Sequence, residues 1–242
     1  MSEDRPALPG RRTVVVTGGT SGIGAAVARR FAAEGDDVVV AGIYTDRVAD
    51  ALPGGVRVVQ LDVTHDSELR EFLSDFRDID VLVNAAGVVA RDREYDTEIF
   101  EHVIGVNLTG TMRCCVAARE GLAGSGGCVV NIASMLSFFG GPRVPAYSAS
   151  KGGIVQLTKA LAVAWAEQNI RVNAVAPGWI RTGLTHDLHE SAEASRNIIA
   201  RTPMRRWGAP DDVAGAVAFL AGRDAGFITG AVLAVDGGYL AA

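Results

Sequence analysis

Short apolar, β-branched segments alternate with longer amphipathic or alanine-rich segments along most of the chain. The short segments are continuous apolar runs, a pattern typical of strands buried on both faces of a parallel sheet. Seven such strands are predicted, at residues 13–17, 37–41, 56–62, 80–84, 127–133, 170–176 and 231–235. The intervening segments predict helices at residues 23–34, 66–76, 97–121, 145–168, 185–201 and 210–221.

This alternation predicts an α/β fold with helices on both faces of the sheet. No long linker or repeat divides the chain, so residues 1–242 are expected to form a single doubly wound Rossmann-type domain with a seven-stranded parallel sheet. Residues 1–12 are polar and are predicted to be a flexible N-terminus. Residues 183–205 interrupt the alternation and predict a helical substrate lid. An alternative interpretation is a permanently ordered helix pair that completes the core.

Composition and charge narrow the function classes. The chain is 48% hydrophobic and carries a formal net charge of −5, which argues against nucleic-acid binding. It has no apolar run of membrane-spanning length and no apolar signal-peptide core near its start. Cys114, Cys115 and Cys128 do not have the spacing of a zinc site, so no metal is predicted. They are interpreted as free core thiols, as expected in a reducing cytoplasm.

A glycine-rich turn follows the first strand and begins the first helix. The turn has the sequence TGGTSGIG at residues 17–24. Glycines permit a tight turn and let the backbone approach a pyrophosphate, while the helix N-terminus offers free amides to the anion. The turn therefore predicts a dinucleotide site, with contacts from Gly18, Thr20, Ser21, Gly22, Ile23 and Gly24.

Two further strand ends are expected to meet the adenosine part of the cofactor. The fourth strand ends in small residues that would let a ribose lie against the backbone, namely Asn84, Ala85, Ala86 and Gly87. Asp62 ends the third strand, next to Val63, and could accept a hydrogen bond from the adenine amino group. Asp62 could also cap the following helix, and the two roles are compatible.

A tyrosine and a lysine, Tyr147 and Lys151, are four residues apart on a predicted helix and therefore share one face. A nearby ammonium favours the phenolate and is expected to lower the tyrosine pKa toward neutrality, as a general acid/base requires. Ser134 ends the preceding strand and would hold the substrate oxygen. The Lys151 ammonium could also bind the nicotinamide ribose.

Together these motifs resemble the short-chain dehydrogenase/reductase family over residues 13–238. The resemblance rests on TGGTSGIG, NAAG, the asparagine of VNLTG, Ser134, YSASK and PGWIRT. It implies a catalytic set of Asn107, Ser134, Tyr147 and Lys151, with Asn107 holding a water that relays protons from Lys151. It also implies that the nicotinamide is framed by Pro177, Gly178, Ile180 and Thr182. The implied activity is hydride transfer between a nicotinamide cofactor and a secondary alcohol or ketone.

The choice of cofactor depends on the end of the second strand, where a carboxylate favours NAD and a basic residue favours NADP. Gly42, Ile43 and Ser21 occupy the deciding positions, and all three are neutral. Arg47 could reach a 2′-phosphate, but a role in solvating the next helix start is the preferred interpretation. The absence of a well-placed cation predicts NAD, with NADP not excluded.

Residues 134–147, 203–208 and 234–238 resemble the branch of this family that acts on sugar acids such as 2-dehydro-3-deoxy-D-gluconate. That resemblance implies an anionic substrate and a cation to bind it. Arg143 is the first candidate, and the predicted substrate contacts are Ser134, Met135, Arg143 and Tyr147. Phe138 and Phe139 could instead line a pocket for an apolar ketone of the 3-oxoacyl, polyketide or steroid type.

A non-catalytic dinucleotide-binding scaffold on the same fold is the alternative from another class. The intact catalytic set argues against it. The helices predicted at 97–121 and 145–168 are apolar on more than one face, through Met112, Val116 and Ala117 and through Leu157, Leu161 and Trp165. One face must cover the sheet, and the resemblance implies that the other joins a homotetramer.

Overall fold

The computed structural model describes residues 11–44 and 52–242. Within them, seven parallel strands form one sheet in the order β3-β2-β1-β4-β5-β6-β7. The strands are β1 (Thr13–Thr17), β2 (Asp37–Gly42), β3 (Arg57–Gln60), β4 (Val81–Asn84), β5 (Cys128–Ile132), β6 (Arg171–Pro177) and β7 (Val232–Val235). The predicted fold class is therefore confirmed. The strand order reverses between β1 and β4, which is where open parallel sheets bind ligands.

The helices lie close to their predicted positions. They are α1 (Gly22–Ala33), α2 (Asp66–Ser74), α3 (Thr97–Ile104), α4 (Thr111–Ser125), α5 (Pro145–Trp165), α6 (His186–Glu190), α7 (Ala192–Arg201) and α8 (Pro210–Ala221). Two predicted helices are divided. A π-helical turn, Gly105–Gly110, separates α3 from α4, and Ser191 separates α6 from α7 because its backbone is extended, with ψ 108°.

Each face of the sheet has its own apolar core, because successive strand residues point to opposite faces. Val14 and Val16 of β1 join Phe31 of α1 and Val217 of α8 in one core. Val15 joins the other, which includes residues of α2, α4 and α5. Burial on both faces explains why the central strands are continuously apolar in sequence, whereas the edge strands β3 and β7 are exposed or half-buried.

The start of the described chain is held by ion pairs. Arg12 donates to Asp36 at 2.6 Å and to Glu34 at 3.2 Å. Arg11 donates to the carbonyl oxygen of Gly35 at 2.9 Å. Arg11 and Arg12 thus contact the turn between α1 and β2, and the flexibility of segment 1–12 stays a prediction. Residues 1–10 lie outside the described residues.

The long helices divide their apolar residues between the core and the surface. Leu161 and Trp165 are buried in this chain's own core, so they do not contribute to a partner-facing surface. Met112 and Val116 of α4 are exposed, and Val163 of α5 is 83% exposed. None of the helices described is long and apolar enough to cross a membrane.

Candidate active site

The turn between β1 and α1 forms a cradle that only backbone can line. Gly18 has a φ of +67°, and a Cβ atom there would lie 2.5 Å from the backbone nitrogen of Ala86. A Cβ atom on Gly24 would lie 2.3 Å from the carbonyl oxygen of Gly18. Helix α1 begins at Gly22 after the extended Ser21, so its first amides have no partner within the helix. The cradle fits the pyrophosphate of a dinucleotide.

At the end of β2, the adenosine side of this cradle is closely packed. A Cβ atom on Gly42 would lie 2.8 Å from Oγ1 and 2.9 Å from Cγ2 of Thr20. The Ile43 side chain is 46% exposed beside this contact. Thr20 therefore occupies the space that an acidic side chain at position 42 would need. Arg47, the candidate phosphate partner, lies outside the described residues.

Asp62 stabilises a turn instead of capping a helix. Its Oδ1 accepts from the backbone nitrogen of Thr64 at 2.9 Å and from the Thr64 hydroxyl at 2.8 Å. Burial opposes ionisation, but these hydrogen bonds outweigh it and hold the Asp62 pKa below its usual value. The N-cap of α2 is His65, so the alternative cap role of Asp62 is wrong. Val63 is buried and packs against Gly110.

The Asn84 side chain points into the protein. Its Nδ2 donates to Oδ1 of Asn131 at 2.9 Å, and Asn131 in turn donates to the Thr158 hydroxyl at 2.9 Å. This chain of hydrogen bonds ties β4 to β5 and then to α5. The Asn84 Nδ2 is therefore committed within the protein, whereas its buried Oδ1 has no hydrogen-bond partner among the described residues.

Lys151 and Tyr147 lie together at the carboxyl end of β5. The Lys151 Nζ is 5.6 Å from the centre of the Tyr147 ring and donates to the carbonyl oxygen of Ile132 at 2.6 Å. A Cβ atom on Gly87 would lie 3.7 Å from this Nζ and 3.4 Å from Oδ1 of Asn107. The ends of β4 and β5 thus bring Asn107, Tyr147 and Lys151 to one place.

Ser134 completes this cluster. Its side chain lies close enough to the Tyr147 phenol to lower the pKa of that group, and its hydroxyl accepts from the backbone nitrogen of Leu136 at 3.1 Å. Sequence reasoning missed Ser137, which accepts from the Ser134 backbone nitrogen at 3.2 Å and donates to the Lys151 carbonyl at 2.7 Å. Ser137 therefore fixes Ser134 relative to α5.

Asn107 lies inside the π-helical turn, a feature that often marks functional sites. Its Oδ1 accepts from the Val88 backbone nitrogen at 2.8 Å, and its Nδ2 donates to the Val88 carbonyl at 2.9 Å. Nδ2 also donates to the Ser150 hydroxyl at 3.1 Å. The side chain thus fixes the loop after β4 against α5, while its predicted role in holding a water stays a prediction.

Burial controls ionisation in the cluster. The Tyr147 phenol is closely surrounded by protein, and this desolvation raises its pKa, with the Ser134 hydrogen bond acting in the opposite direction. Burial lowers the pKa of Lys151 to about 8. The expected lowering of the Tyr147 pKa by Lys151 is therefore not found: loss of water is the largest effect on the phenol, and the charge that lowers its pKa is that of Arg91.

The predicted nicotinamide residues lie on the loop after β6. Pro177 ends that strand, and a Cβ atom on Gly178 would lie 2.7 Å from the Cα of Asp236. Ile180 is buried and pairs with Gly208. Thr182 comes close to the dinucleotide cradle, since a Cβ atom on Gly22 would lie 3.4 Å from its Cγ2.

Two arginines, Arg143 and Arg91, are candidates for binding a substrate anion, and they differ in whether they already form an ion pair. Arg143 is exposed and forms a bidentate ion pair with Asp92, with its Nε 2.6 Å from Oδ1. Arg91 forms no ion pair with any residue in the described part of the chain, and its charge lowers the pKa of Tyr147. Sequence reasoning missed Arg91, because the effect of its charge on Tyr147 depends on the course of the loop after β4. The predicted substrate residue Met135 is buried immediately after Ser134.

The predicted lid contains two helices instead of one. Ser191 ends α6, and its hydroxyl accepts from the Ala194 backbone nitrogen at 3.4 Å to cap α7. Ile198 is the buried residue of α7. The Ser195 hydroxyl of the same helix accepts a hydrogen bond from Nε1 of Trp207 at 2.9 Å. The segment is therefore packed onto the loop before α8.

Comparison with known proteins agrees with this geometry. The family model described as enoyl-(acyl carrier protein) reductase matches residues 18–240. The chain belongs to the short-chain dehydrogenase/reductase family. It is therefore an NAD(P)-dependent oxidoreductase, as its sequence motifs predicted.

Three relatives within the family illustrate the range of similarity. A 2-dehydro-3-deoxy-D-gluconate 5-dehydrogenase from Bacillus subtilis is 36% identical over 95% of this chain and 94% of its own length. A cis-4-hydroxycyclohexanecarboxylate dehydrogenase from Sinomonas cyclohexanicum is 41% identical over 95% of this chain and 97% of its own. A candidate NAD(P)-dependent gluconate 5-dehydrogenase from Beutenbergia cavernae, solved with NADP at low occupancy, is 40% identical with a TM-score of 0.88. That match covers 98% of this chain and 99% of the other.

The residues of this short-chain dehydrogenase/reductase fit a nicotinamide dinucleotide along one groove. The glycine cradle would hold the pyrophosphate, Thr20 and Gly42 would border the adenosine, and Ile180 and Thr182 would border the nicotinamide. When bound, the cofactor supplies or accepts a hydride at the substrate carbon.

The chain's own residues would manage the proton. Ser134 can donate a hydrogen bond to the substrate oxygen, and the Tyr147 phenol can give its proton to a ketone oxygen or take one from an alcohol. Charged Lys151 stabilises the phenolate that remains after proton donation. Since Lys151 is buried with a pKa of about 8, its charge is sensitive to pH in the physiological range.

Proposed function

We propose that this enzyme interconverts a hydroxyl and a ketone on a sugar acid, such as a deoxy-ketogluconate. The observation that carries the reaction is the convergence of Ser134, Tyr147 and Lys151 beside the glycine cradle. The substrate class is supported by relatives named for 2-dehydro-3-deoxy-D-gluconate and gluconate. The intact cluster argues against a non-catalytic scaffold.

The substrate carboxylate requires a cation close to Tyr147. Arg143 was the sequence-based candidate, but its guanidinium is engaged by Asp92 in a bidentate pair. Arg91 has no such partner within the described residues and acts electrostatically on Tyr147. We therefore rank Arg91 ahead of Arg143 as the anion-binding residue, because a free guanidinium need not give up an existing ion pair.

An apolar ketone or alicyclic hydroxy acid is the second candidate substrate. Aromatic side chains near the lid favour it: Phe139 stacks on Tyr239 with ring centres 6.2 Å apart, and Trp179 meets Tyr239 at 6.5 Å. The relatives named for cis-4-hydroxycyclohexanecarboxylate and for 3-oxoacyl groups are of this kind. These aromatic side chains would contact the hydrophobic part of such a substrate.

The preferred cofactor is proposed to be NAD. Support comes from the neutral residues Gly42, Ile43 and Ser21 at the adenosine end. We further propose a homotetramer in the cytoplasm. The exposed apolar residues of α4 and α5 support the assembly. The free, buried cysteines 114, 115 and 128 support a reducing compartment.

The substrate proposal is tested with a panel of sugar acids, alicyclic hydroxy acids and 3-oxoacyl ketones, each with NAD(H) and NADP(H). Sugar acids should give the highest kcat/KM. Arg91→Ala should raise KM for the best acid more than for its neutral ester, by about 10- to 100-fold, as expected for a charge-assisted bond. Arg143→Ala is the matched arginine control and should change both substrates equally. A larger acid-specific loss in the Arg143 variant would reverse this ranking, and a preference for apolar ketones would refute the sugar-acid proposal.

A further inference from the structure

Glu94 is a buried carboxylate that neither the motifs nor the reaction accounts for. Its residue surface is 1% exposed, and it forms no ion pair with a residue in the described ranges 11–44 and 52–242. Its Oε1 accepts from the Ala90 backbone nitrogen at 2.9 Å, and its Oε2 accepts from the Tyr147 backbone nitrogen at 2.9 Å. Burying a carboxylate is costly unless such hydrogen bonds compensate for the lost water.

The second of these hydrogen bonds caps the catalytic helix from a distance. Tyr147 is the third residue of α5, so its amide is one of the donors that the helix itself cannot satisfy. The N-cap residue Val144 has no polar side chain and makes no capping bond. Glu94 supplies the missing acceptor and places a negative charge at the positive end of the helix dipole.

Neighbouring contacts fix the same two segments together. The Asp92 backbone nitrogen donates to the Arg143 carbonyl at 2.8 Å. The Tyr95 hydroxyl donates to the Pro142 carbonyl at 2.9 Å. The loop after β4 is thus attached to the chain entering α5 at several points, and Glu94 is the buried one.

We propose that Glu94 is a positioning residue for the oxidoreductase reaction, whose carboxylate fixes the first turn of α5 and so sets the place of the Tyr147 phenol relative to Ser134 and Lys151. The role follows from the geometry, because the acceptor is bound to the backbone of the residue whose side chain transfers the proton. A shift of that turn would misplace the phenol against the substrate oxygen, and small misplacements of reacting groups are expensive.

The charge of Glu94 also acts on the phenol. The charged groups around Tyr147 are Glu94 and Arg91 on the loop after β4 and Lys151 on α5, with the neutral Ser134 hydroxyl after β5. Glu94 raises the pKa of Tyr147, whereas Arg91 lowers it. Removing the charge of Glu94 should therefore move the ionisation of Tyr147 to lower pH.

The test compares Glu94→Gln with the native enzyme, using whichever secondary alcohol it oxidises best. Glutamine keeps the size but turns an NH₂ group toward one of the two amides, where a donor meets a donor. We expect kcat to fall about 10- to 100-fold, in the range seen when a partner that orients a reacting group is lost. The pH limb of Tyr147 should move to lower pH, while the Kd for the dinucleotide stays within about twofold, as expected for a residue that binds no cofactor.

Two further variants separate positioning from folding. Glu94→Asp keeps the charge but is too short to reach both amides, so kcat should fall while the pH limb stays near its native position. Glu98→Gln makes the same change at an exposed carboxylate of α3 and should alter neither quantity. If Glu94→Gln does not fold, the aspartate variant and the native enzyme still provide the comparison.

The proposal is overturned if folded Glu94→Gln retains native kcat, or if its kcat falls with no movement of the pH limb. If no substrate of the panel is accepted, tyrosinate absorbance is titrated in the native and Glu94→Gln proteins, with Tyr147→Phe subtracted. A native position of the Tyr147 titration in the glutamine variant would then overturn the proposal. Failure of the substrate proposal is thus distinguishable from failure of this one.

Discussion

At the residue scale, we propose proton transfer by Tyr147 because its ring centre lies 5.6 Å from the Lys151 Nζ and Ser134 acts on its phenol. Tyr147→Phe keeps the ring and removes the transferable proton. Turnover should fall by at least ~100-fold, the usual contribution of a general acid/base. Titration of NADH fluorescence should still show cofactor binding, which controls for misfolding. Near-normal turnover in this variant would refute the assignment.

The buried Lys151 predicts the pH dependence of the reaction. Its pKa of about 8 means that the ammonium loses its proton as pH rises through that value. Ketone reduction uses the protonated phenol and the charged lysine, so its kcat/KM should fall above about pH 8. Alcohol oxidation requires the phenolate, so its kcat/KM should rise with pH instead. Both profiles report the free enzyme.

Lys151→Arg is the matched test of this interpretation, because an arginine stays charged throughout the accessible range. The falling limb near pH 8 in ketone reduction should disappear, even if the variant is slower. A limb that persists unchanged would show that another group titrates there.

The closeness of the Thr20 side chain to Gly42 predicts what a larger residue at position 42 would do to the cofactor preference. Gly42→Asp must displace Thr20, since a Cβ atom would lie 2.8 Å from its Oγ1. Once in place, the carboxylate should repel a 2′-phosphate and increase the kcat/KM ratio of NAD to NADP by about tenfold, because a like-charge contact near a surface costs roughly 1–4 kcal/mol. Gly42→Asn controls for the displacement without the charge. A native preference for NADP(H) would contradict the NAD proposal and implicate Arg47.

At the element scale, the helices α6 and α7 are proposed to act as a lid. They connect the nicotinamide loop to the segment before α8, and α7 contacts that segment through Ser195 and Trp207. Hydrogen exchange should slow across residues 183–205 when cofactor and substrate are added together, because closure excludes water. The amides of α8 are the internal control and should not change. Equal protection with and without ligands would favour the permanently ordered helix pair.

The division of the helix at Asn107 is also an element-scale feature. The predicted helix 97–121 is interrupted by the turn Gly105–Gly110, and the wider turn carries Asn107 to the backbone of Val88. The spacing of apolar residues does not reveal such a turn, because a π-helical turn adds only one residue to the α-helical repeat. Family resemblance therefore predicts the role of Asn107, whereas its contacts depend on the π-helical turn.

At the scale of the whole molecule, the exposed apolar residues of α4 and α5 predict assembly into a tetramer. Light scattering at micromolar concentration should give about four times the 25.2 kDa chain mass. Val163→Glu should yield smaller species, because it places a charge on an 83% exposed valine that is proposed to become buried. Arg77→Glu is the control, since Arg77 is 97% exposed and lies outside these helices. A native monomer would contradict the assembly.

The sequence by itself determined the order of strands and helices and much of the chemistry, because both depend on short-range patterns. Continuous apolar runs identified buried strands, and the glycine cradle and the Tyr147–Lys151 spacing are local signals. These predictions agreed with the structure to within a few residues at most boundaries.

Only the tertiary structure decided which side chains share the site, because those contacts join residues far apart in the chain. Glu94 and Tyr147 are separated by 53 positions, and Asp92 and Arg143 by 51. Three features depend on this packing: the ion pair of Arg143, the lack of an ion pair on Arg91 within residues 11–44 and 52–242, and the desolvation that shifts the pKa values of Tyr147 and Lys151. A local pattern records the residue type at a position, whereas burial and partnership depend on the folded loops that surround it.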